Sequence, residues 1–311
     1  MQKSLTKIKV IGVGGSGGNA VSRMAKCKIQ GVELIAVNCD FQDLKHTRAD
    51  LKIQIGENLT KGLGAGMNPS IGRKAVQESR GAIKEALKDA DIIFIVCGLG
   101  GGTGTGAAPA IADIAQEFNS LLIGAVTLPF SFEGAQRKRL ASLGEQELRK
   151  RVDTLFVIPN DNLLSQIKED TTCQSAFWIC DEVLRHAVQG ISDLIVRSGL
   201  INVDFADVKE IMADSGSALF GVGKGKGEQK IEQAAQATLN SPFLQFPIEG
   251  AKRILFNITG GSQLSLMDIE KAAKLITQNT AASKVIFGAI IDNNLKPDEV
   301  KITLIAAGIE S

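Results

Sequence analysis

Hydrophobic positions along the chain follow two rhythms. Up to about residue 160, short apolar runs rich in β-branched residues alternate with longer amphipathic stretches. The runs at 8–13, 33–38, 91–97, 121–128 and 154–159 predict strands, and the stretches at 19–26, 71–90, 107–118 and 133–151 predict helices. Such alternation predicts an α/β fold whose parallel sheet is covered on both faces. Ligands of such sheets bind beyond the carboxyl ends of the strands. The rhythm then changes. In residues 171–197, Phe177, Cys180, Val183, Leu184, Ala187, Val188, Ile191, Leu194 and Ile195 recur at helical spacing, which predicts one long helix. Thr172 suits its N-cap and Gly199 its C′ position. Helical patterns near 228–239 and 265–278, with strand patterns at 254–258, 285–291 and 300–306, predict a smaller α+β unit. Gly221-Val-Gly-Lys-Gly-Lys-Gly227 reads as a mobile connector between its helices, and no Gly-Lys-Ser/Thr follows to make it a P-loop. The expected organisation is a first domain at 1–171, a central helix and loop start at 172–203, and a second domain at 204–311.

A length of 311 residues suffices for two cores. Formal net charge is +1 with no basic block, which argues against nucleic-acid binding. No apolar stretch reaches membrane-spanning length, and the polar start is not a signal peptide, so membrane insertion is not expected. Five cysteines without a Cys-x-x-Cys pair point to reduced thiols and a cytoplasmic protein. His46 and His186 are too few for a zinc site.

Two glycine clusters carry the chemistry. Gly100-Gly-Gly-Thr-Gly-Thr-Gly106 lies between the apolar run 91–97 and a helical pattern with Pro109 expected in its first turn. A glycine-rich loop there brings bare backbone N–H groups to an anion, and the helix N-terminus adds positive dipole. Gly12-Val-Gly-Gly-Ser-Gly-Gly18 follows the first strand and contains the dinucleotide spacing Gly12-x-Gly14-x-x-Gly17. A nicotinamide-dependent oxidoreductase is therefore one reading, with Asp40 somewhat far along for its ribose acid. That reading leaves the second cluster without a role. Two phosphate cradles on neighbouring strands suit a nucleotide with a long phosphate tail.

The cluster 100–106 resembles the signature of the tubulin superfamily, and the rest resembles its FtsZ family, the bacterial cell-division tubulin homologues. The resemblance runs from about Ile8 to Gly308. It rests on Gly62-Leu-Gly-Ala-Gly66 with Asn68-Pro69, Pro129-Phe-Ser-Phe-Glu-Gly134, Val152-Asp-Thr-Leu155, Ile158-Pro-Asn-Asp161 and Gly199-Leu-Ile-Asn-Val-Asp-Phe-Ala-Asp207. It implies a parallel-sheet GTP-binding domain joined by a long central helix to a smaller α+β domain. It also implies a cytoplasmic GTPase that polymerises head to tail at mid-cell, with GTP/GDP and Mg²⁺ as ligands. The cation would be held mainly by the phosphates.

Residue roles follow from the resemblance. Gly14, Gly15 and Asn19 would approach the nucleotide, and Gly98, Gly101, Gly102, Thr103 and Gly104 would wrap the phosphates. Ala65 and Gly66 would sense the γ-phosphate. Thr127, Glu133 and Arg137 would contact sugar and phosphate, and Asn160 base or sugar. Phe177 would stack on the purine. Asp181, one helical turn on, would accept two N–H bonds from guanine, a donor pair adenine lacks. The blander readings are a core Phe177, a solvated Asp181 and a simple i,i+4 pair of Glu133 with Arg137. Trp178 reads as surface or interface packing.

From Phe177 to Arg197 the helix would span roughly 30 Å at 1.5 Å per residue. Asn202, Asp204 and Asp207 therefore lie too far along to serve a nucleotide bound at its start. Asp204 and Asp207 could simply cap the next helix. In the family this loop enters the nucleotide site of the next subunit and positions the attacking water. Ser16 and Met67 depart from the family pattern; Met67 is expected to crowd the γ-phosphate loop. Family members usually continue through a linker to a tail that docks cell-division partners, which is expected to be absent here after Ser311, and a polymer-incompetent nucleotide binder is the remaining alternative.

Overall fold

The computed structural model describes residues 6–164, 171–197, 199–241, 243–244, 248–278 and 280–309. They form two compact units, Met1–Gln189 and Gly190–Ser311. In chain order the first unit carries β1 (Ile8–Val13), α1 (Gly14–Cys27), β2 (Val32–Asn38), α2 (Phe41–His46), β3 (Leu51–Gln54) and α3 (Glu57–Thr60). Next come α4 (Pro69–Glu78), α5 (Arg80–Leu87), β4 (Ile92–Gly98), α6 (Gly102–Ala115), β5 (Leu121–Leu128) and α7 (Ala135–Arg149). β6 (Thr154–Pro159), α8 (Asp161–Leu164) and the long α9 (Cys173–Val196) follow; the division between units falls inside α9.

The six strands lie in the order β3-β2-β1-β4-β5-β6, all parallel. β1 and β4 are in register from Ile8↔Ile92 to Val13↔Cys97. Their residues are buried on both faces, as the continuous apolar runs require. The order reverses at β1/β4, and there the sheet opens a crevice beyond its carboxyl ends.

The second unit holds α10 (Phe205–Met212), β7 (Gly216–Lys226), α11 (Lys230–Leu239), β8 (Arg253–Gly260), α12 (Leu266–Thr277), β9 (Lys284–Ile291) and β10 (Glu299–Ala307). Its strands lie in the order β7-β10-β8-β9, antiparallel except for the β8/β9 pair. The α/β architecture with a smaller α+β second part agrees with the sequence.

Four local expectations are corrected. The segment 221–227 is not a mobile connector: 221–226 are strand β7, hydrogen-bonded to β10. Its glycines exist for packing. A Cβ on Gly223 would lie 2.2 Å from the Ala234 carbonyl, and one on Gly225 1.8 Å from that of Lys230, so α11 rests on bare backbone. The pattern at 71–90 is two helices rather than one. They break at Ser79, whose hydroxyl accepts a hydrogen bond from Gly56 N. α6 starts at Gly102, inside the glycine cluster, which leaves Pro109 two turns into the helix and not in its first turn. Finally, α9 ends at Val196, so Gly199 lies one residue beyond its C′ position. A Cβ there would lie 2.4 Å from the Ala289 carbonyl, and close approach is what requires glycine.

Candidate functional site

Beyond the carboxyl ends of β1 and β4 lies a cavity of about 640 Å³. The two glycine clusters build one side of it. The first owes its spacing to three separate constraints. A Cβ on Gly12 would lie 2.4 Å from the Gly17 carbonyl, and one on Gly17 2.5 Å from the Val96 carbonyl, so α1 is pressed onto β1 and β4. Gly14 has φ +72°, a left-handed turn that glycine adopts without strain. In the second cluster, a Cβ on Gly104 would lie 2.4 Å from the Gly98 carbonyl, and one on Gly102 2.8 Å from Asn68 N. Gly100 N donates to Thr105 Oγ1 at 2.8 Å, which folds the loop back on its own helix.

Both helices point their N-termini at the cavity, and neither α1 nor α6 has a side-chain cap. The first N–H groups of a helix have no intrahelical acceptor and carry the positive end of its dipole. Among the described residues lining the cavity, Arg137 is the only cation. An anion held here is therefore held chiefly by backbone N–H groups.

Of the residues expected from sequence, Gly14 and Gly15 line the cavity, as do Ala65 and Gly66. Gly98, Gly101, Gly102, Thr103 and Gly104 line it too, with Thr127, Glu133, Arg137, Asn160, Phe177 and Asp181. Asn19 does not; it is exposed on α1. Asn202, Asp204 and Asp207 belong to the second unit. Met67 is exposed, has φ +58° and does not line the cavity. Ser16 lines the cavity and packs against Gly98.

Other lining residues come from β5, from the segment before α7, from just after β6 and from α9, and carry aromatic and polar side chains. Phe177 is half exposed and meets Phe130 edge to face at 5.6 Å; it is not core. Glu133 accepts from Phe130 N at 2.9 Å and from Arg137 Nη1 at 2.7 Å, so the i,i+4 pair exists within the cavity wall. Asn160 is buried, and its Oδ1 has no hydrogen-bond partner. A buried acceptor without a donor is costly and marks a place for a ligand donor. Asp181 is 6% exposed, not solvated. Burial raises its pKa to about 6, although the Arg23 guanidinium beside it pulls the other way. Arg23 Nε donates to Asp181 Oδ2 at 3.1 Å.

Sequence reasoning passed over Asn38, Asp43, Cys180 and Arg23. Asn38 ends β2 and Asp43 lies in the first turn of α2 just beyond it, where the general rule for such sheets would have found them. Asn38 Nδ2 donates to Asp43 Oδ2 at 2.7 Å, and burial beside Asp40 raises the Asp43 pKa. Asp40 Oδ1 accepts from Asp43 N and caps α2, so its first task is structural and not that of a ribose acid. Cys180 is a buried neutral thiol, its pKa pushed up to about 12 by burial. Nothing in the sequence flagged Arg23. Among the described residues, no helix is long and apolar enough to cross a membrane, and no three His, Cys, Asp or Glu side chains converge as metal ligands.

Residues 7–168 match the family model described as Tubulin/FtsZ family, GTPase domain. Residues 216–310 match the FtsZ family, C-terminal domain. The chain is similar to FtsZ of M. jannaschii, solved as an empty dimer. Sequence identity is 42%, the match covers 99% of this chain and 89% of that one, and the TM-score is 0.93. It shares its fold with CetZ1 from Haloferax volcanii, at 24% identity over 98% of this chain and 95% of that one, with a TM-score of 0.85. Taken with a cavity built from two uncapped helix N-termini, these matches establish that the chain belongs to the tubulin/FtsZ family of GTPases.

Proposed function

We propose that this chain is a self-assembling cytoplasmic GTPase of cell division, which hydrolyses GTP between subunits of a head-to-tail filament. The observation that carries the reading is the make-up of the cavity. Bare N–H groups of α1 and α6 form one part of its wall, and the buried carboxylate of Asp181 forms another. A phosphate tail suits the first part. The second suits guanine, whose N1–H and N2–H₂ both donate to a carboxylate. Adenine has no such pair, so Asp181 selects GTP. Phe177 stacks on the base, Asn160 Oδ1 accepts from base or sugar, and Thr127, Glu133 and Arg137 hold sugar and phosphate. Ala65 and Gly66 lie where the loop before α4 would sense the γ-phosphate. Asp40, Asp43 and Thr103 supply oxygens suited to a hard cation. They would share a Mg²⁺ carried by the triphosphate, which neutralises charge on the β- and γ-phosphates.

The reaction is GTP + water → GDP + phosphate, catalysed by positioning and charge stabilisation. The cavity is lined by residues between Val13 and Asp181. α9 is unbroken for 24 residues, or about 36 Å at 1.5 Å per residue. Asp204 and Asp207 follow its far end, so we assign them, with Asn202, to the site of a neighbouring copy. There they orient the attacking water. A heterologous contact of this kind repeats without closing and yields a filament. Self-association is supported by the dimer of the M. jannaschii relative. Other cell-division proteins are expected partners at mid-cell.

The test is GTP turnover over a protein-concentration series, with sedimentation of the product. Specific activity should rise with concentration and track the pelleted fraction. A flat dependence, with monomers at full turnover, refutes the shared site.

A further inference from the structure

We propose that Arg23 is a positioning residue for base recognition: held over the Trp178 ring, it keeps the Asp181 carboxylate charged and aimed so that it accepts from a guanine edge. The proposal rests on the nucleotide reading above and adds a residue to it. Asp181 is nearly buried, and a buried carboxylate tends to take up a proton. A protonated Asp181 would present a donor to the guanine N–H groups in place of an acceptor. Something must hold the charge, and Arg23 is placed to do so.

Three observations support the assignment. Arg23 Nε donates to Asp181 Oδ2 at 3.1 Å, across from α1 to α9. Its guanidinium carbon lies 5.3 Å from the centre of the Trp178 ring, a cation–π contact that fixes the side chain. Arg23 is not among the residues lining the cavity, whereas Asp181, Cys180 and Phe177 are. It therefore reaches the carboxylate from behind and leaves the guanine side open. The other charges facing this place oppose it or are engaged. Glu182, next on α9, raises the Asp181 pKa and is paired with Arg185. Glu133, which acts on Cys180, is paired with Arg137. Trp178, half exposed and without a role in the sequence reading, becomes the support for Arg23.

The test measures GDP affinity of the nucleotide-free full chain from pH 5.5 to 8.5, each variant against wild type at the same pH. Wild-type affinity should hold at neutral pH and fall below about pH 6, where Asp181 takes a proton. Removing an adjacent opposite charge raises a carboxylate pKa by about one to three units. Arg23→Gln should accordingly bind about tenfold more weakly at pH 7, with the gap closing to under about twofold at pH 8.5. Arg23→Lys, which keeps the charge, should restore most of the affinity. Trp178→Leu should move the midpoint in the same direction by less, and it serves if Arg23→Gln fails to fold. Tighter binding by Arg23→Gln would make Arg23 a blocking group and overturn the proposal. So would a loss equal at every pH, which is a packing effect, or a lysine variant that behaves like glutamine. If wild type binds no guanine nucleotide at any pH, the nucleotide reading itself fails, an outcome distinct from all of these.

Discussion

Asp207 caps α10, the proposed function gives it a second task in catalysis, and a pair of substitutions separates the two. Asp204 Oδ1 accepts from Asp207 N at 2.9 Å, and Asp207 Oδ2 accepts from Asp204 N at 3.0 Å. This reciprocal pair starts α10, as the capping reading of the sequence foresaw. Asp207→Ala removes one of the two bonds, which should cost about 0.5–1 kcal/mol. In a protein of this size that lowers the melting midpoint by about 1–2 °C. Asp207→Asn keeps a carbonyl oxygen able to accept from Asp204 N, so the cap and the melting midpoint should survive. It removes the charge that polarises water, and the loss of a positioned acid–base group costs about 10²–10⁴ in rate. Both variants should bind GTP near normally, because the cavity is lined by the first unit. The assay is GTP turnover at saturating nucleotide, with affinity and thermal melting measured on the same samples. If Asp207→Asn turns over within about threefold of wild type, far inside that range, Asp207 is a cap and nothing more.

Three other outcomes are expected. Asp181→Ala should lose about a hundredfold of its preference for GTP over ATP, the scale of a lost charged double hydrogen bond; unchanged discrimination in competition binding contradicts the role of Asp181. Gly104→Ala places a Cβ 2.4 Å from the Gly98 carbonyl. The phosphate loop must shift, and GTP affinity should fall by at least about tenfold in a protein whose circular dichroism is unaltered; full affinity would show that the loop yields freely. Asp181 also links stability to pH. Its folded pKa, about 6, is raised above the ordinary aspartate value of about 3.9, so the folded state binds more protons between those values. Its charge therefore opposes folding more as pH rises through that window, and the penalty is complete above it. Nucleotide-free Asp181→Asn should melt higher than wild type at pH 7.5, with the advantage shrinking toward pH 4.5; an advantage constant across this range would refute the linkage.

Much of this protein was legible from local chemistry. Strands buried on both faces read as unbroken apolar runs, and β1, β4, β5 and β6 stand within a residue of where those runs predict. The glycine clusters were legible because helix starts pressed onto the strand ends need several bare backbone positions close together in sequence. Residues of the phosphate cradle are near neighbours along the chain, so spacing was enough. What escaped were contacts between distant segments. Gly223 and Gly225 look like linker glycines until α11 lies against them, and β7 exists because β10 pairs with it. Pro109 looks like a helix start until the glycines before it join the helix. Arg23 and Asp181 are separated by 158 positions, and no local pattern announces an ion pair of that span. Local propensity and periodicity are written residue by residue, whereas the charge state of a carboxylate depends on what the fold brings beside it. The amino-acid sequence by itself determined the layered α/β architecture and the glycine-rich loops at its strand ends; tertiary packing decided which distant side chains join the cavity and in what state of protonation.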